Sequence, residues 1–268
     1  MGDVSWVPML AGLLAAALAI GLLMLGVLAL SARSGNWSII DTFWGLGFVA
    51  VALVSYLVSR GHGDDLRRLI AVLVPVVWGL RLAAYIHWRN HGKGEDPRYT
   101  ALMARRTGAL VPFAIKNIFW AQGWVMWVVA TPIVVAMFQF EPVNAVTWFG
   151  VALAVIGLFF EVVGDAQLAR FKADSANAGK ILDTGLWAWT RHPNYFGDIC
   201  VMFSFWLFAC GAWIGVATIF APVLMTRMLV SRTGKALTEK RMARSRGPEY
   251  AAYVARTSGL IPRPPRQS

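Results

Sequence analysis

The sequence predicts an all-α integral membrane protein, a bundle of seven transmembrane helices with cytoplasmic loops and a C-terminal amphipathic helix. Three observations predict it. Hydrophobic residues make up 57% of the 268 positions and charged residues only 15%, against roughly a quarter charged in ordinary soluble domains. The apolar residues gather in blocks long enough to cross a bilayer. The Lys and Arg behind the net charge of +11 lie between those blocks and after the last one. A soluble monomer of this size could not hide so much apolar surface. A pI near 10.3 suggests nucleic acid in a soluble protein, but membrane topology accounts for the bases, and no nucleic-acid partner is expected.

The elements follow in order within one polytopic domain, 1–268. Span one, 6–30, carries no charge; it is too long and lacks the basic start of a signal peptide. Span two, 39–59, holds one acid, Asp41. Span three, 66–88, carries Arg81, Tyr85 and His87 toward its end. Spans four and five cover 113–140 and 142–164, with Pro132 inside the former. The last uncharged block, Ile199 to Thr226, would make about 42 Å of helix, so one tilted span or a hairpin could absorb it. Charge decides. The 89–106 and 169–191 loops and the tail from Arg227 hold most of the bases, and the positive-inside rule puts all three in the cytoplasm. An even number of crossings must therefore separate Arg191 from Arg227, which gives spans at 186–210 and 212–230. The N-terminus is then outside and the tail, 231–268, inside. The 60–68 loop is the misfit, since it places three bases outside. Cys200 and Cys210 would stand about 15 Å apart on a helix, too far for a disulfide; no metal site is expected.

Ionisable groups inside spans are costly and usually face a cavity or a partner. Glu161 and Asp165, four apart, share a helix face; they either end a solvated helix or form the polar wall of a cytoplasm-facing pocket. Pro193 suits a first helical position, and a helix N-terminus attracts anions, with Arg170, Lys172, Lys180 and Arg191 nearby in sequence. Basic anchoring at the headgroups is the plainer reading, but it needs neither Asn194, Tyr195 nor Asp198. In the tail, Glu239, Lys240, Arg241, Arg244 and Arg246 suggest an amphipathic helix on anionic lipid, which leaves Tyr250, Tyr253 and Arg256 unexplained.

The segment Gly185-Leu-Trp-Ala-Trp-Thr-Arg-His-Pro-Asn-Tyr-Phe-Gly-Asp198 resembles the signature of the steroid 5-alpha-reductase and sterol reductase superfamily. Its bacterial branch, domain of unknown function 1295, also shows Asp41-Thr-Phe-Trp-Gly-Leu-Gly47, Gly92-Lys-Gly-Glu-Asp-Pro-Arg-Tyr99 and Phe171-Lys-Ala-Asp174. The resemblance covers roughly residues 39 to 264. It implies a seven-span, NADPH-dependent reductase of a carbon–carbon double bond conjugated to a carbonyl, in a bacterial inner membrane, with a lipophilic substrate entering from the bilayer. By position it assigns cofactor binding to Asp165, Lys172, Lys180, Asn194, Tyr195 and Asp198, and it places Glu239 and Arg241 on the acid and base of a C-terminal motif followed by Tyr250; with Arg191 at the helix mouth these make the expected cofactor set. It matches Tyr85 to a catalytic tyrosine. The early Gln-Glu pair of the animal steroid enzymes is absent, leaving Asp41 as the nearest acid, and Glu161 stands where those enzymes have Asn.

Enone reduction needs a hydride at the β-carbon and a donor for the developing enolate oxygen. Tyr85 is the expected donor, oriented by Asp41 or His87 if spans two and three pack together. No GxGxxG follows a strand, so any dinucleotide must bind in the helical bundle. The isoprenylcysteine carboxyl methyltransferases, which bind S-adenosylmethionine, share the Arg-His-Pro-x-Tyr helix start and give the alternative. A non-enzymatic lipid-binding or transport protein is the third reading, and a monomer suffices for any of them.

Overall fold

The computed structural model describes residues 3–232 and 234–266, and it is all-α. The helices are α1 Trp6–Ser34, α2 Ile40–Val58, α3 Asp65–Asn90, α4 Pro97–Met103, α5 Leu110–Ala114, α6 Ala121–Met137, α7 Ala145–Ala173, α8 Leu186–Trp189, α9 Pro193–Ala209, α10 Trp213–Ala217, α11 Phe220–Arg227 and α12 Lys235–Arg256. A π-helical turn, Ile115–Trp120, joins α5 to α6, so this crossing starts at Leu110 rather than 113. Six helices among the described residues are long and apolar enough to cross a membrane. The one missing from the expected seven is the sixth, 186–210, which appears as α9, whose 17 residues make about 26 Å of helix, just under the hydrocarbon thickness. Span seven is not one rod, because α10 and α11 are separated at Thr218 and Ile219.

The chain divides into two compact units. Unit 1 comprises Met1–Trp148 and Phe205–Ala221. Its core is aromatic: Trp78 stands edge-on to Phe48 and Phe205, with centroids 5.2 and 5.9 Å away. Spans two and three do pack together, and glycine makes this possible. A Cβ on Gly45 would lie 2.2 Å from the carbonyl oxygen of Gly79, and one on Gly79 would lie 2.4 Å from that of Gly45. Small residues let helix backbones approach in lipid. Gly45→Ala is expected to force α2 and α3 apart and lower stability by about 1–3 kcal/mol, read as a lower unfolding midpoint; Gly21→Ala, inside α1 with open space around it, should leave the midpoint unlowered.

Arg67 explains the misfit loop. It is fully buried, and its guanidinium donates to the carbonyl oxygens of Glu141 at 2.9 Å, Pro142 at 2.9 Å and Phe208 at 2.5 Å. Arg68 is also buried and donates to Asp65, Ser59 Oγ and the Tyr56 carbonyl. Two of the three bases that offend the charge rule thus serve as internal hydrogen-bond donors.

Unit 2 comprises Phe149–Ser204 and Pro222–Ser268. Here α7 and α9 cross at a second glycine pair, where a Cβ on Gly197 would lie 2.5 Å from the carbonyl oxygen of Gly157. The turn before α8 rests on α7: Gly185 takes φ 59°, Leu186 N donates to Gln167 Oε1, and Trp187 Nε1 donates to the Gly164 carbonyl. The expected tail helix is present as α12, but Gly247 breaks it with φ 48° just before Pro248. Only glycine enters that region cheaply.

Candidate functional site

The chemistry-bearing residues fall into one group in each unit. In unit 1 the centre is Asp41, at the start of α2. Its Oδ1 accepts from the Tyr99 hydroxyl at 2.5 Å and its Oδ2 from Arg98 Nη2 at 2.8 Å. Gln122 Nε2 donates to the same phenol at 3.1 Å, while Trp44 Nε1 donates to Gln122 Oε1 at 2.6 Å. Asp96 caps α4 by accepting from Arg98 N, which folds the Gly92–Tyr99 segment over the start of α2. Glu95 adds a second tie by accepting from Trp37 N at 2.6 Å. Burial first, then the Asp41 carboxylate, push the Tyr99 phenol far above its ordinary range, so it stays a hydrogen-bond donor.

The phenol that Asp41 holds is therefore Tyr99. Tyr85 sits late in α3 against Trp88, with centroids 6.0 Å apart and the Arg89 guanidinium 5.8 Å from the Tyr85 ring centroid. His87 is exposed and contacts His91, one turn on, at 5.7 Å between ring centroids. Sequence reasoning missed the pairing of Asp41 with Tyr99, although both lie in segments that carry the family resemblance. Fifty-eight residues separate them, and no local pattern reports such a contact.

In unit 2 the centre is Glu239, on the first turns of α12. Its Oε1 accepts from Arg191 Nε at 2.9 Å and Nη2 at 2.8 Å and faces His192 Nε2 at 3.2 Å; its Oε2 accepts from Lys235 Nζ at 3.1 Å. Burial would raise the Glu239 carboxyl, but hydrogen bonds from Arg191 and Lys235 outweigh it and hold the group below its usual range. Arg191 also donates to the Thr257 carbonyl at 2.6 Å. The Tyr253 hydroxyl donates to the Trp187 carbonyl at 2.6 Å, and Thr190 Oγ1 to that of Leu260 at 2.8 Å. Arg256 pairs with Asp183. These bonds staple the tail to the segment before α9 and account for Tyr253 and Arg256, which lipid binding left unexplained.

His192 precedes the first residue of α9 and is buried. Its ring stacks on Tyr195 at 5.2 Å with 4° between planes. Burial lowers its pKa to about 4; the attraction of Glu239 opposes this, but that carboxylate is shared with Lys235 and Arg191, which also lower it. The imidazole is therefore neutral at pH 7. The sign follows: the folded state resists protonation, so stability is full above the unfolded value near 6.5 and falls as pH drops from there toward 4. Unfolding midpoints measured between pH 7.5 and 4 should decline, and His192→Gln should flatten the decline between 6.5 and 4.

The remaining expected cofactor residues are dispersed by exposure. Glu161 and Asp165 are buried, because α7 continues to Ala173 instead of ending near them; a solvated helix end is thereby corrected. Asn194 and Asp198 are half-buried on α9, with Asn194 Oδ1 accepting from Tyr195 N at 3.1 Å. Tyr250 is buried on the second segment of α12. Lys172, Lys180 and Arg241 are exposed. Sequence reasoning gave Arg246 only a lipid-facing role. Its Nε is buried with no hydrogen-bond partner, and a Cβ on Gly179 would stand 3.3 Å from its Nη1. A buried, unsatisfied guanidinium N–H beside the Gly179-Lys180 turn is costly unless an acceptor such as a phosphate oxygen reaches it.

A family model described as a protein of unknown function (DUF1295) matches residues 27–257. An uncharacterized protein of Schizosaccharomyces pombe is 27% identical over 257 residues, which cover 85% of this chain and 73% of that protein. No solved structure matches.

Proposed function

Because the chain belongs to the DUF1295 family, a branch of the steroid 5-alpha-reductase-like superfamily, we propose that it is a membrane-embedded reductase that draws on NADPH to saturate a conjugated carbon–carbon double bond in a lipophilic substrate. The observation that carries the reading is the partnerless Arg246 Nε beside Gly179. It is an anion site in want of an acceptor, on the unit where the family signature lies.

The residues present fit a dinucleotide. Arg246, Lys180 and Arg241 would neutralise its phosphates, with Lys172 contributing from the end of α7. Asn194 offers an amide to a nicotinamide carboxamide at the first turn of α9. Arg191 and Glu239 hold the wall in place rather than binding anions themselves, since each already satisfies the other. When bound, the cofactor supplies the hydride. The chain's own part is then to supply a hydrogen bond, and afterwards a proton, to the oxygen on which enolate charge develops. Tyr85 is the proposed donor. Asp41 acts on Tyr99 and Arg98, and so serves to hold the Gly92–Tyr99 segment rather than to orient Tyr85.

Thermal unfolding in mild detergent tests the reading. NADPH at a hundred times its Kd should add about 2.7 kcal/mol of stability, which is roughly 5–11 °C in midpoint for a chain of this size. Arg246→Ala and Asn194→Ala should each lose most of that protection while keeping the unliganded midpoint within a few degrees. Protection by S-adenosylmethionine instead would turn the reading to a methyltransferase, and insensitivity to both would end the enzymatic account.

A further inference from the structure

Unit 1 contains a cavity of about 610 Å³ between the end of α1, the start of α2 and the end of α3. The walls toward the helix interiors are apolar, built from Leu30, Ile39, Phe43, Leu46, Ala83 and Ala84. The mouth is different in kind. His87, His91 and Lys93 line it, together with Asn36, Ser38 and Asn90, and no acidic residue contributes to the lining. All three basic side chains are exposed. His91 is the residue at which α3 ends, and Gly92, at φ 70°, turns the chain so that Lys93 returns over the helix end and donates to the Arg89 carbonyl at 2.5 Å.

We propose that this cavity binds a single-chain lipid acid, its hydrocarbon tail among Leu46, Phe43 and Ala84 and its carboxylate at Lys93 and His91. Three features argue for that occupant. The volume lies within the roughly 300–1,000 Å³ of pockets that enclose one small ligand, which suits one chain and not a two-chain phospholipid. The apolar depth, with the Lys93 ammonium and two imidazoles at the rim, matches an amphiphile with its charge at one end. The absence of acids from the lining makes the rim complementary to an anion and poorly suited to a neutral alcohol or a cation. The site lies wholly within unit 1, and the proposal does not rest on the reductase reading; its test needs no cofactor.

The test uses the full chain reconstituted in nanodiscs of neutral phosphatidylcholine, with a fatty acid carrying a photoactivatable diazirine near its methyl end as the probe. Mass spectrometry after irradiation should find the label on the peptides containing residues 39–46 and 83–84. Excess oleate should suppress labelling, and oleyl alcohol at the same concentration should not. Lys93→Ala should weaken competition by oleate at least about tenfold, the factor expected for loss of one charge-assisted hydrogen bond. Ala84→Trp, which fills the cavity from an exposed position, should abolish labelling with the unfolding midpoint retained. Equal competition by the alcohol would reduce the cavity to an apolar crevice and overturn the proposal, as would labelling confined to other helices or undiminished in Lys93→Ala. Should Ala84→Trp fail to fold, Lys93→Ala, a substitution of an exposed side chain, still decides.

Discussion

Arg67→Met is expected to be the most damaging single substitution in unit 1, costing about 2–6 kcal/mol. The guanidinium is the donor to three backbone carbonyls, of Glu141, Pro142 and Phe208. Methionine fills comparable volume but leaves the buried Phe208 carbonyl bare, at about 1–3 kcal/mol, while the less buried Glu141 and Pro142 carbonyls each lose the roughly 0.5–1.5 kcal/mol of a net hydrogen bond. Against a total stability of about 5–15 kcal/mol, the loss would unfold a large share of the protein only at the lower end of that range, and elsewhere would show as a lower midpoint. Denaturant titration in detergent measures it, with the exposed Arg60→Ala as the control that should leave the midpoint unchanged. A midpoint for Arg67→Met equal to that of the native chain would show that water satisfies those carbonyls and that the arginine is not their essential donor.

Glu239→Ala should be nearly as severe in unit 2, at about 2–4 kcal/mol. Removing the carboxylate leaves Arg191, whose side chain is only 10% exposed, and Lys235 facing each other without their shared counter-ion. Breaking one partner of a largely buried pair is costly because the remaining charge stays desolvated; the side chain of Glu239 is 21% exposed, which moderates the figure. Glu239→Gln should recover part of the loss, since its amide oxygen still accepts a hydrogen bond from Arg191. The readouts are the unfolding midpoint and the rate of proteolysis in the tail after Arg256, which should rise as the bond from Arg191 to the Thr257 carbonyl weakens. A tail equally protected in Glu239→Ala would show that Tyr253 and Thr190 hold it alone.

Much of the fold was legible before any coordinates. Uncharged runs of more than twenty residues have one stable environment, and Pro193 marked the start of α9. The tail helix was equally plain, since its charges recur at helical spacing. Boundaries were less so: α7 runs through Glu161 and Asp165 to Ala173 and both acids are buried, which composition does not report. In the candidate site, the sequence resemblance singled out Arg191 and Glu239 but not that they bond each other, and Asp41 but not that Tyr99 is its partner. Arg246 was visible only as one more basic residue on a charged helix.

Sequence by itself determined that this chain lives in lipid, roughly where it crosses, and to which family it belongs, because these depend on composition, run length and short motifs. Only the tertiary structure decided which charges are internal donors, which phenol meets which carboxylate, and where a cavity opens. Those depend on contacts between residues tens of positions apart, at distances that hydrogen bonds restrict to about 3 Å, and one-dimensional spacing carries no record of them.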